Sequence, residues 1–272
     1  MRDSKGGDML DEITSEVAKT PNGIWKESIL ALYKNWRLVL VLGGGVACVN
    51  VATTFLTVDL VGKVLQWLAE VAIIYVGCGW VLSGMSGKPD VSGVGYIQRR
   101  DFCVRVVILY FLAAMPNQFF LLLYTGSFDW SYPLLAYNSR AIASAFIRWS
   151  SIWLVGALLI TWLPAALRLD DDTGILHALQ RGWKTIGYVV VQFLIGPTVL
   201  IVVKELCGVI FADVAIEALV ASGGVGDGMY RLISVSALFA MFGVVFKLWW
   251  AMMVGIVAAR AYIIARQDIN LE

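Results

Sequence analysis

The sequence predicts an all-α, polytopic integral membrane protein: six transmembrane helices with amphipathic interfacial helices. Three observations carry this. Six long apolar stretches alternate with short polar connections, charged residues are scarce, and positive charge gathers on alternate connections. A hydrocarbon core of about 30 Å needs roughly 20 apolar residues of helix. Backbone in lipid must satisfy its own hydrogen bonds, which leaves helices. Of 272 residues, 59% are apolar and 15% charged, against about 25% charged in an ordinary soluble domain. The spans therefore use most of the length, and no separate soluble domain is expected. The net charge of +1 gives no reason to expect a nucleic-acid partner.

The expected spans are Leu38–Val58, Val64–Leu82, Phe102–Leu123, Ala141–Leu163, Ile186–Val203 and Leu232–Ala258. They divide the chain into a cytoplasmic N-terminal segment with amphipathic helices (1–37), a six-helix transmembrane domain (38–260) and a cytoplasmic tail (261–272). An even number of spans puts both termini on one side. That side carries six Lys and Arg before the first span, four around the second connection (Lys88, Arg99, Arg100, Arg105), three in the fourth (Arg168, Arg181, Lys184) and two at the end (Arg260, Arg266), fifteen in all. The other side carries four, Lys63, Arg140, Lys204 and Arg231. The positive-inside rule then places the termini in the cytoplasm.

Before the first span, Met1–Lys19 holds five acidic residues and no apolar core, unlike a signal peptide. Met9, Leu10, Ile13 and Val17 instead suit a short amphipathic helix that ends at Pro21-Asn22-Gly23. Trp25, Ile29, Leu32 and Trp36 suit a second, lying in the headgroup layer. The fourth connection repeats the design. Asp170, Asp171, Asp172 and Thr173 are helix-start residues with negative charge where the macrodipole favours it. Ile175, Leu179, Trp183 and Ile186 then line one face, and His177, Gln180, Arg181 and Lys184 the other, so 174–185 is expected to be an interfacial helix. Consecutive aspartates point in different directions, so capping fits them better than a metal site. His177, the single histidine, reads as a solvated side chain.

The run from Leu163 through Asp170-Asp171-Asp172 to Ile175, with Ala178-Leu179 and Gly182-Trp183-Lys184, resembles the connection before the fifth span in the YciC-type bacterial inner-membrane proteins. The ending Arg260-Ala261-Tyr262-Ile263-Ile264-Ala265-Arg266-Gln267 looks like the Arg-x-Tyr-x-x-x-Arg-Gln ending of that group. Ser28 to Arg37 is similar to its amphipathic entry helix. The resemblance implies six helices, an inner-membrane location and no established catalytic residues. The acidic N-terminal extension and the tryptophan content depart from that pattern.

Cys48, Cys78, Cys103 and Cys207 form no CxxC pair and read as small packing residues. Gly43-Gly44-Gly45 with Ala47 and Cys48, and Gly255 with Ala259, allow helices to approach closely. Apart from Arg105, counted with the connection it adjoins, three charges fall inside the spans, where each costs roughly 2.5 to 3.5 kcal/mol: Glu70, Arg148 and Lys247. Glu70 and Arg148 lie about 9 to 11 Å deep in helices that both begin on the outer side, which permits an ion pair. A snorkelling arginine or a proton relay are the other readings. Lys247, with no acidic residue at similar depth and flanked by Phe246, Trp249 and Trp250, can bond backbone carbonyls, snorkel or meet a carboxylate of another protein.

Pro116, with Asn117 and Gln118, is expected to interrupt the third span, and Gly196-Pro197 the fifth, so a solute cavity could open near Asn117, Gln118 or Gln192. Leu206–Ala221 reads as a helix on the outer surface, followed by a flexible loop from Ser222 to Gly228. No GxSxG elbow, HExxH or P-loop occurs, so no enzyme, cofactor or metal site is expected. Eleven tryptophans suit interfacial anchoring or protein contacts. The leading expectation is therefore an accessory, structural or assembly subunit whose partners are lipids and other membrane proteins. Lys247, Trp249 and Trp250 form its candidate partner contact, and a small-solute or ion transporter is the alternative.

Overall fold

The computed structural model describes residues 23–56, 59–83, 95–125, 139–168, 174–221 and 225–269, and every regular element among them is helical. In chain order these are α1 (Gly23–Lys34), α2 (Trp36–Leu56), α3 (Asp59–Leu82), α4 (Tyr96–Thr125), α5 (Ser139–Leu159), α6 (Trp162–Leu167), α7 (Ile175–Phe193), a π turn (Leu194–Thr198), α8 (Val199–Ala221) and α9 (Val225–Ile269). The expected helix at Met9–Val17 and the Asp170–Thr173 cap lie outside the described residues.

Four stretches are long and apolar enough to cross a membrane: Val61–Leu82, Tyr96–Leu123, Ile175–Gly208 and Met241–Arg266. A fifth exists if Gly23–Lys34 and Trp36–Val49, bent by 84°, count as one broken span. The bend falls at Asn35, whose Nδ2 donates to the Ala31 carbonyl at 2.8 Å in competition with the backbone ladder. In the region of the expected fourth span, the described apolar stretch is the shorter Trp149–Leu159.

The chain divides into two units. In the unit built from 19–89 and 192–257, α2 packs on α3, and α3 meets α9 backbone to backbone. A Cβ on Gly77 would lie 2.8 Å from the Met252 carbonyl oxygen, and one on Gly255 would overlap the Ile74 carbonyl. Only glycine permits that approach, and the Cys78 thiol donates to the Gly255 carbonyl across it at 3.4 Å. Of the three consecutive glycines, Gly43 faces Leu248, while Gly44 and Gly45 face open space. In the unit built from 90–191 and 258–272, α4 packs on α5 and α6, and Gly182 of α7 lies directly on the Leu158 backbone.

Several local expectations are corrected. α4 runs unbroken through Pro116, because one missing N–H leaves the remaining ladder intact. α8 continues to Ala221, so Leu206–Ala221 extends the fifth-span helix as one element rather than forming a separate one. α9 begins at Val225, which places Val225–Gly228 in helix, not loop. On α1 the buried residues are Ile24, Ser28 and Ala31, while Trp25 and Leu32 of the expected headgroup-facing stripe are half-buried and Ile29 and Trp36 exposed.

Candidate functional site

Two side-chain assemblies stand out, one in each unit. The first closes the helix break at Gly196-Pro197. Proline supplies no N–H, and the Val199 N–H turns to the Gly196 carbonyl, so the Ile195 carbonyl takes its hydrogen bond elsewhere. The Trp25 indole donates to it at 3.0 Å. Gly196 is packed so tightly that a Cβ would lie 3.2 Å from Ile24 Cδ1 and 3.5 Å from Met253 Sδ. Trp25 is held in turn by Trp249, edge-on at 5.4 Å between centroids. Trp249 Nε1 donates to Ser28 Oγ at 2.9 Å, and the Ser28 hydroxyl donates to the Trp25 carbonyl at 2.9 Å. The aromatic row continues along α9 through Phe246 and Phe242.

The second assembly is basic. Arg105 is 5%, Arg181 4% and Arg260 2% exposed. Arg105 pairs with Asp101 one turn earlier on α4, donates from Nη1 to the Trp162 carbonyl at 2.8 Å and lies 5.1 Å from the centre of the Trp162 ring. Next to Trp162, the Thr161 hydroxyl donates to the Ala178 carbonyl at 3.3 Å, which fixes α6 to the first turn of α7. Arg181 follows on the same buried face of α7 and stacks over the Tyr262 ring at 5.4 Å, with Arg266 also against that ring at 5.9 Å. Guanidinium groups are favoured on aromatic faces because the ring quadrupole is negative there and their hydration is weak.

The expected site residues fall differently. Glu70 accepts a hydrogen bond from Gln66 on its own helix at 2.9 Å, and the Arg148 side chain lies outside the described residues. Lys247 is half-buried and engaged within the chain. Trp249 is committed to Trp25 and Ser28, and Trp250 is half-buried. Ile175, Leu179 and Trp183 lie on the exposed side of α7, with Trp183 72% exposed. Arg181, expected on the solvated face with His177 and Lys184, is instead buried beside Ala178, Gly182 and Thr185. Asn117, Gln118 and Gln192 are all buried and all hydrogen-bonded or otherwise engaged. Neither the indole that seals the break nor the buried arginines were singled out from the sequence. Asp101 and Arg105, four apart at the start of a span, were the available signal for the latter.

Taken together, the fold is that of a multi-pass helical membrane protein. The chain matches no family model, no curated protein and no solved structure.

Proposed function

We propose that this chain is a non-catalytic, six-span protein of the bacterial inner membrane, related to the YciC-type group, with both termini cytoplasmic. Its role is that of an accessory or assembly subunit of a larger membrane complex. The fifteen-to-four charge asymmetry supports the orientation.

One observation favours this over transport: the break in the fifth-span helix is filled by protein. A broken-helix transporter uses the freed backbone groups of its break to line a solute cavity. Here the Trp25 indole takes the Ile195 carbonyl, and Ile24 and Met253 pack against Gly196. The alternative, a small-solute or ion transporter using the proline-bearing helices, draws on the buried amides Asn117, Gln118 and Gln192.

The exposed Met241 and Val245 on α9, near Lys247, Trp249 and Trp250, support a partner-facing flank there. Gentle solubilisation should bring the native protein through in an assembly larger than itself, and Val245→Trp should release it while leaving its abundance unchanged. A wild type that migrates alone in every mild detergent and moves a solute in liposomes overturns the accessory reading in favour of transport.

A further inference from the structure

Ile175–Gly208 is one continuous apolar span, whereas α1 and α2 meet at a bend of 84°. Its uncharged stretch, Thr185 to Val203, is nineteen residues. That is about 28 Å of helix, enough to fill a hydrocarbon core of about 30 Å. The first turns of α7 therefore leave the core along the axis of the span instead of turning to lie in the headgroup layer. On this projecting part Leu176 is 70%, Leu179 37% and Trp183 72% exposed, an apolar stripe at i, i+3 and i+7. Trp183 sits at headgroup level, where tryptophan is favoured. Leu176 stands about 12 Å beyond Lys184, past a headgroup layer about 5 to 8 Å thick, so lipid does not cover the whole stripe.

A second stripe with the same spacing, Leu10, Ile13 and Val17, precedes α1 in the sequence. It belongs to an acidic segment, with five carboxylates against Arg2 and Lys5 in the first seventeen residues. The cytoplasmic leaflet is negative, and helices that lie on it are rich in Lys and Arg, so this stripe suits a protein face better than a membrane surface.

We propose that Met9–Val17 forms a helix that docks on the exposed face of α7, parallel to it, with Leu10, Ile13 and Val17 against Leu176, Leu179 and Trp183. Direction and reach both follow from Ile24, whose Cδ1 would lie 3.2 Å from a Cβ on Gly196. Gly196 is thirteen residues, or about 20 Å of helix, beyond Trp183. The seven steps from Val17 to Ile24 extend to about 23 Å. Both stretches thus approach one point from the same end, which sets them parallel. Exposed Lys184 on α7 favours a negative neighbour. So short a tether keeps the segment at a high effective concentration beside α7, ahead of any separate protein. That both stretches lie on one side of the membrane rests on the six-span reading proposed above.

The test uses the full-length protein with its four native cysteines replaced by alanine and with Ile13→Cys and Leu179→Cys introduced. Oxidation in membranes should link the pair within one chain, detected by mass spectrometry of the joined peptides. The yield should be about ten times that of Ile13→Cys with Ile97→Cys. Ile97 serves as the comparison because it is 71% exposed at the start of α4. Leu10→Cys with Leu176→Cys repeats the measurement if the first pair does not fold. A lone Leu176→Cys should react with a water-soluble maleimide about tenfold faster once Ile13→Asp displaces the segment. Equal yields in the two pairs overturn the proposal. So does a maleimide rate that ignores Ile13→Asp and rises only when detergent replaces lipid, which assigns the face to lipid. Linkage of Leu179→Cys between differently tagged chains overturns it in favour of a second copy. If an impermeant reagent finds Ile13→Cys and Leu176→Cys on opposite sides of the membrane, the six-span reading fails as well; if they lie on one side and do not link, the docking alone fails.

Discussion

Replacing Gly255 by Ala adds one methyl group to the contact between α3 and α9. That methyl would overlap the Ile74 carbonyl and stand 3.1 Å from both the Cys78 nitrogen and Gly77 Cα. Every one of these atoms is backbone, so no side-chain rotation relieves the crowding and the helices must part. Overpacking of this kind costs about 1 to 3 kcal/mol. Against it stands a gain of up to about 1 kcal/mol, because Ala is the better helix former. The net expectation is a loss of about 1 to 2 kcal/mol, including a weakened Cys78–Gly255 hydrogen bond. Gly77→Ala should behave alike, since its methyl would lie 2.8 Å from the Met252 carbonyl oxygen. Gly44→Ala supplies the control: among the described residues nothing lies within 4 Å of its methyl, so the propensity gain is unopposed. Two substitutions of identical chemistry should therefore differ by about 2 kcal/mol and in sign. Unfolding in mixed micelles with increasing SDS reads this directly. If Gly255→Ala unfolds together with Gly44→Ala, the backbone contact is not present in the protein and the argument fails.

Two other expectations are independent of that contact. Trp25→Phe and Trp249→Phe should each destabilise by about 1 kcal/mol through the lost indole hydrogen bonds, and a double-mutant cycle should show coupling of about 0.5 to 1.5 kcal/mol; additive losses would argue against the edge-on pair. In a variant whose native cysteines have been replaced, a cysteine at Lys88 or at exposed Lys184 should resist a membrane-impermeant thiol reagent in intact cells, and one at Gly224 should react; the reverse pattern inverts the topology.

Composition and hydropathy alone determined that the described chain is helical and that several helices can span a membrane, because bare backbone in lipid has no other way to satisfy its hydrogen bonds. The proline at 197 was also legible as a local disturbance of the α-helical ladder, which the chain accommodates as a π turn within one continuous span. Which face of each helix points inward was not legible. In water, polarity separates core from surface, but in a bilayer the lipid-facing and core-facing sides are both apolar, and periodicity loses its contrast. On α1 the inward-facing Ile24, Ser28 and Ala31 could not be told from the neighbouring Trp25, Ile29 and Leu32 by polarity. For the same reason only tertiary structure selected Gly255 and Gly77 as the contact and left Gly44 and Gly45 facing outward. Arg181 marks the limit most clearly. Its neighbours in sequence are polar and it was placed with them, but Gly182 seats α7 on the Leu158 backbone and turns the arginine onto the Tyr262 ring. That outcome depends on residues far apart along the chain, and no local pattern contains it.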